Sequence, residues 1–173
     1  DTVRFDGSAT STCKLVVSVE VGSVQCLPGF DKTLNLMNRT LRITGDADFS
    51  SGTIVSRKGK ITFNGRRNTI QQLTPPSGVE LTTVLKEGLG VVKVVGNPLK
   101  VGTLTIRAGT WYWGTGPDTV TNAIAVRGLA DMIFDNGVTL VIAQGNADFQ
   151  GLGRLTLAGN DTLCFSGSGV QLL

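Results

Sequence analysis

The sequence predicts an all-β fold, a solenoid of stacked coils, with a β-sandwich or jelly roll as the alternative; three observations predict it. Short β-branched and leucine-rich runs recur along nearly the whole chain, with strand starts about every 8 to 12 residues. Between them lie turn formers, drawn from 23 glycines and from combinations such as TGD, FNG, VGN and DNG, whose residues tolerate positive φ or close Asx turns. Finally, Gly45, Ala47, Asp48 and Phe49 in TGDADF are matched by Gly145, Ala147, Asp148 and Phe149 in QGNADF, 100 residues on. A solenoid reuses turn chemistry at equivalent corners, because each coil buries its inward side chains on the next.

Taken in order, the strand-like runs are 14–21, 42–44, 53–55, 60–63, 79–85, 91–95, 103–107, 110–113, 123–127, 132–135, 138–143, 154–157 and 163–165. Each is short, rich in Val, Ile, Leu or Thr, and bounded by Gly, Asn or Asp. Residues 1–30 are expected to form N-terminal strands or a cap, and residues 31–173 the coils, all in one domain. The TPPSG segment at 74–78 cannot lie in a central strand, since proline donates no ladder hydrogen bond, so it reads as a loop leaving the body. At most one short helix is expected, within 121–132, where Gly128 interrupts a pattern that also scans as alternation.

The 173 residues fit one domain, and 40% apolar with 17% charged residues marks a globular chain. It opens on Asp1, as a processed product or a piece of a longer protein would. A net charge of +3 is too small a bias to point to nucleic acid or an anionic membrane. No apolar run approaches the roughly 20 residues of a membrane-spanning helix. Histidine is absent, which removes Ser-His-Asp and Cys-His nucleophile systems and any His-based metal site. No phosphate-binding glycine loop occurs in a strand-to-helix setting, so no cofactor and no metal are expected. Of three cysteines, Cys13 and Cys26 are spaced for pairing in a hairpin, whereas Cys164 reads as a small buried apolar residue.

The run LNLMNRTLRITGDADFSSGTIVSRKGKITFNGRRNTIQQL, residues 34–73, resembles the first coils of the right-handed parallel β-helices of bacteriophage tailspikes. Its LNLMNRTLRI opening, the strand beginning at Asp48-Phe49 and the Gly52-Thr-Ile54 turn carry the likeness. The stretch from TLTIRAG to LCFSG is similar to further coils, and autotransporter passengers share the style. The resemblance implies a homotrimer on the virion or outside the cell, in contact with host surface polysaccharide and other virion proteins. It also implies a further reading, a polysaccharide depolymerase whose carboxylate pair forms between subunits. The many short strands by themselves equally suit a capsid or decoration protein with a sandwich fold.

The candidate ligand-binding residues are Trp111, Tyr112, Trp113 and Asp118. In a strand, Trp111 and Trp113 share one face and Tyr112 takes the other. The tryptophans then fill the core, anchor a subunit contact, or form a flat platform for sugar rings. The carboxylates weighed for catalysis are Asp46, Asp48, Asp131, Asp135, Asp148 and Asp161, because glycoside hydrolysis uses two carboxyls about 5 to 9.5 Å apart. Asp48 and Asp148 lie about four or five coils, roughly 20 Å, apart and cannot pair. Asp46 and Asp48 read as turn chemistry; Asp131 and Asp135 are the carboxylates taken as catalytic candidates. A basic patch, Arg57, Lys58, Lys60, Arg66 and Arg67, surrounds the strand KITF and faces outward, either protecting an edge or meeting an acidic partner.

Overall fold

A computed structural model, described over residues 1–114, 116–135, 137–166 and 171–172, shows a right-handed parallel β-helix of about eight coils. Every strand pairing among the described residues is parallel, which excludes the sandwich and jelly roll. No helix occurs among the described residues.

Each coil begins on one face and turns through two more. The first three coils are β1 (Thr2–Phe5), β2 (Cys13–Lys14), β3 (Val19–Val21); β4 (Ser23–Cys26), β5 (Thr33–Asn35), β6 (Thr40–Ile43); and β7 (Ala47–Asp48), β8 (Thr53–Val55), β9 (Lys60–Phe63). In the next three, the second and third strands merge: β10 (Ile70–Thr74), β11 (Leu81–Lys86); β12 (Val91–Val94), β13 (Lys100–Ile106); and β14 (Thr110–Trp113), β15 (Pro117–Val126). They separate again in β16 (Ala130–Phe134), β17 (Thr139–Ile142), β18 (Asn146–Asp148) and in β19 (Leu152–Thr156), β20 (Thr162–Phe165), β21 (Gln171–Leu172). The merger is visible in β15, whose first half pairs with β17 and second half with β18. The strand crosses the edge between two faces, and its pairing with β13 slips there, between Val101 and Thr103 of β13, as a bulge allows.

One coil takes 19 residues from Val92 to Trp111 and 26 from Ala47 to Leu73. The six-residue repeat therefore does not mark equivalent corners: Asp48 lies on the first face and Asp148 on the third. What repeats is the local turn. In both copies Ala and Phe are buried, and the Asp side chain accepts from the amide two residues on, Ser50 at 2.9 Å and Gln150 at 3.1 Å.

Alternation puts Val, Ile and Leu inside in stacked columns, one of them Val94, Trp113 and Phe134. Trp111 and Trp113, both 0% exposed, pack edge to face at 5.8 Å and join Phe63 and Phe134 in an aromatic chain. Enclosing an indole is worth about 4–6 kcal/mol at 150–250 Å² per side chain, less the cost of their two unpartnered indole N–H groups.

Several sequence expectations change. Residues 1–30 are the first coil and the start of the second, in register with the coils stacked on them. Pro75 and Pro76 are buried in a corner, where Asn97 donates to the Pro75 carbonyl at 2.9 Å, rather than in a departing loop. Cys13 and Cys26 lie on different faces and, like Cys164, are free. Burial pushes the Cys26 thiol up to about 12, whereas Cys164 points outward and is exposed, because its neighbours Leu163 and Phe165 take the inner positions.

A candidate site: an arginine-lined corner cleft

Between the third face and the first, most coils turn within one to four residues. Glycine makes that possible: a Cβ on Gly88 would meet the Gly65 carbonyl of the coil below, and one on Gly128 the Arg107 carbonyl. The longest of these corners is the six-residue segment 64–69 between β9 and β10. Insertions that leave a solenoid's core untouched commonly build its binding surface.

This corner is rigidly made. Thr69 donates through both its amide, at 3.2 Å, and its hydroxyl, at 2.7 Å, to the Arg66 carbonyl. Asn68 takes the left-handed conformation (φ 64°) that asparagine tolerates. Below, the fully buried Gln71 holds the root of the turn. Its Oε1 accepts from the Gly65 amide at 2.8 Å, and its Nε2 donates to the carbonyls of Ile43 at 3.1 Å and Gly45 at 2.7 Å.

The turn forms one wall of a cleft of about 740 Å³, closed elsewhere by Glu20, Thr44, Glu87 and Leu89. Both carboxylates are already engaged. Arg42 meets Glu20 at 3.6 Å and Glu87 at 3.3 Å, and Arg107 meets the other Glu87 oxygen at 3.0 Å. To reach Glu87, Arg42 crosses the third coil, where the outward Thr62 is fully buried. Arg66 and Arg67 are exposed and make no ion pair among the described residues. Behind the wall, Lys86 takes an inward position between Phe63 and Ile106. It donates to the carbonyls of Gly88 and Ala108, and burial lowers its ammonium to about 8.

The expected basic patch is thus divided. Arg57 and Lys58 sit at the corner between the second and third faces, Lys60 opens β9, and only Arg66 and Arg67 reach the cleft.

Of the aromatic trio, only Tyr112 faces outward, so no tryptophan platform exists. Its hydroxyl donates to Asp135 at 3.1 Å and Lys93 lies 4.6 Å from its ring centre. Partial desolvation, then Asp135, pushes the phenol up from its usual value. Asp118 is turned into the core, 1% exposed, in the column of Leu99 and Leu140. One of its oxygens accepts from the Leu99 amide at 2.6 Å and the other has no partner; burial pushes its carboxyl up to about 7. It is a core group and does not line the corner cleft.

Asp131 and Asp135 both project from the first face, but four residues along a strand separates them by about 13 Å, too far for a carboxylate pair. Asp131 pairs with Arg154 at 3.2 Å, and Asp135 also meets Lys93 at 3.8 Å. Asp46 and Asp161 accept backbone amides, from Gln72 at 2.8 Å and Val138 at 2.9 Å, which is structural work. No group of three or more metal-ligating side chains occurs among the described residues.

Sequence reasoning missed Glu20, Arg42, Glu87, Arg107 and Gln71. A signal for the charged ones exists. Glu20 and Arg42 are 22 residues apart, Glu87 and Arg107 20, Arg127 and Asp148 21, Asp131 and Arg154 23. Opposite charges spaced by one coil stack on one face.

Compared with known proteins, the chain matches no family model, no curated protein and no solved structure. The fold itself defines the class: a right-handed parallel β-solenoid.

Proposed function

We propose that the chain is a structural and receptor-binding module of a phage tailspike or tail fibre that contacts host surface polysaccharide. The observation that carries this reading is the corner cleft. It is a preformed concavity within the usual size range of ligand sites, roughly 300–1,000 Å³, on a scaffold whose core is filled by side chains. Its polar walls suit hydroxyl-rich ligands, and its carboxylates are occupied as braces for Arg42 and Arg107. Trimeric assembly on the virion belongs to the same proposal and follows from the tailspike resemblance of residues 34–73.

The test is binding of the purified protein to immobilised capsular polysaccharides and lipopolysaccharides, neutral and acidic, with reducing ends assayed in the same samples. Retention of at least one polymer without new reducing ends supports a binding module. Release of reducing ends turns the reading to depolymerase, and no binding across the panel overturns it. Light scattering on the same protein checks the trimer: a monomer at working concentration removes that part.

A further inference from the structure

We infer that the corner cleft selects acidic polysaccharide, an anionic group of the sugar chain lying between the guanidiniums of Arg66 and Arg67; this rests on the glycan-binding reading above.

The lining of the cleft carries Arg66 and Arg67 with Glu20 and Glu87, two cations to two carboxylates. Both carboxylates are already bound from outside the lining by Arg42 and Arg107, so the charge left without an ion pair among the described residues is that of Arg66 and Arg67. Lys86, lowered to about 8, remains mostly protonated at neutral pH and adds positive potential from a low-dielectric position.

The backbone that carries the two free arginines is also held in place. Guanidiniums bind carboxylates best as a planar fork, and a fixed backbone reduces the ordering cost of binding. Here both arginines ride on a turn closed by Thr69 and anchored from inside by the buried Gln71. The lining of the cleft decides between polyanions. Single-stranded nucleic acid is usually held by a basic track with aromatic rings for its bases. Leu89 is the apolar group of this cleft, both tryptophans are enclosed, and Arg57 and Lys58 are displaced to another corner. A short cationic cleft without aromatic rings fits a sugar chain carrying spaced anions.

The experiment takes an acidic capsular polysaccharide retained by the wild type and the same polymer after carbodiimide and borohydride reduction of its carboxyl groups. Arg66→Ala, Arg67→Ala, the double variant and Arg66→Lys with Arg67→Lys are compared, with circular dichroism and melting temperature as fold controls. Both arginines are exposed, so the fold is expected to persist. Reduction of the polymer is expected to weaken binding about tenfold or more, in line with lost charge-assisted hydrogen bonds. The double alanine variant should lose as much, and the lysine variant should recover part of it.

Equal binding of native and reduced polymer, or full binding by the double alanine variant, overturns this inference and leaves the glycan-binding reading standing. If no polymer, neutral or acidic, binds the wild type, the broader reading itself fails. Binding of oligothymidylate as tight as that of the polysaccharide, and lost in the same variants, overturns the assignment to sugars.

Discussion

Asp118 should make stability depend on pH in the direction opposite to that of most carboxylates. Burial lifts its carboxyl from the usual 3.8 to about 7, so between those values the folded chain keeps a proton that the unfolded chain has released. Unfolding free energy therefore falls as pH rises through this window and levels off above about 7. Three pH units at about 1.36 kcal/mol each give about 4 kcal/mol. Asp118→Asn tests this cleanly, because its amide oxygen still accepts from the Leu99 amide and cannot titrate. Urea unfolding followed by the enclosed tryptophans, on both proteins at several pH values, gives the difference. Asp6, Asp31 and Asp148, whose carboxyls are held low by Ser8, Lys32 and Arg127, lose stabilisation as pH falls; they act equally in both proteins and cancel. From about pH 4 to about pH 7.5 the comparison should move about 4 kcal/mol in favour of the asparagine variant. A difference constant to within about 1 kcal/mol across that range would refute the reasoning.

Lys86 carries the complementary expectation. Its ammonium is lowered from 10.5 to about 8, so the folded chain releases a proton before the unfolded one, and stability should rise between those values by about 3 kcal/mol; Lys86→Met should abolish that rise in the same assay. Trp113→Ala should cost about 3–5 kcal/mol through the cavity it leaves, read as a lower urea midpoint, with polysaccharide binding by the folded fraction unchanged. Gly88→Ala should lower the melting temperature markedly, because its Cβ meets backbone of the coil below rather than a side chain that can move; a melting curve superimposable on wild type would contradict the corner geometry.

The all-β class is legible because alternation and turn chemistry are local. TLRI and KITF show their inner and outer residues without reference to anything distant. Strands such as SVQC and IQQLT escape a reading of the sequence because a face covered by the next coil needs only two inward residues, and Gln71 in the latter is an inward polar one. Coil length varies too much for a fixed period to survive, so the ADF repeat advertises a turn type and not a position. In sequence Asp118 reads as a polar group beside the aromatic trio and Lys86 as a surface charge; only the register places them among Leu, Ile and Phe neighbours. Half of the cleft is within reach: Arg66 and Arg67 stand out as a cluster, but the glutamates opposite and their arginine braces come from coils up to two turns away, and one-coil charge spacing is invisible until the coil length is known.

The braces formed by Arg42, Glu87 and Arg107 have a bearing on how such a chain can diversify. They tie the second, fourth and fifth coils together from the outside, across the third, next to the longest of the described corners between the third face and the first. Lengthening or rewriting 64–69 would alter what is displayed there, while the lattice of charges and the glutamine rivet beneath keep the floor in place. New specificities could then arise by exchange of a single short loop, with the stacked interior inherited unchanged.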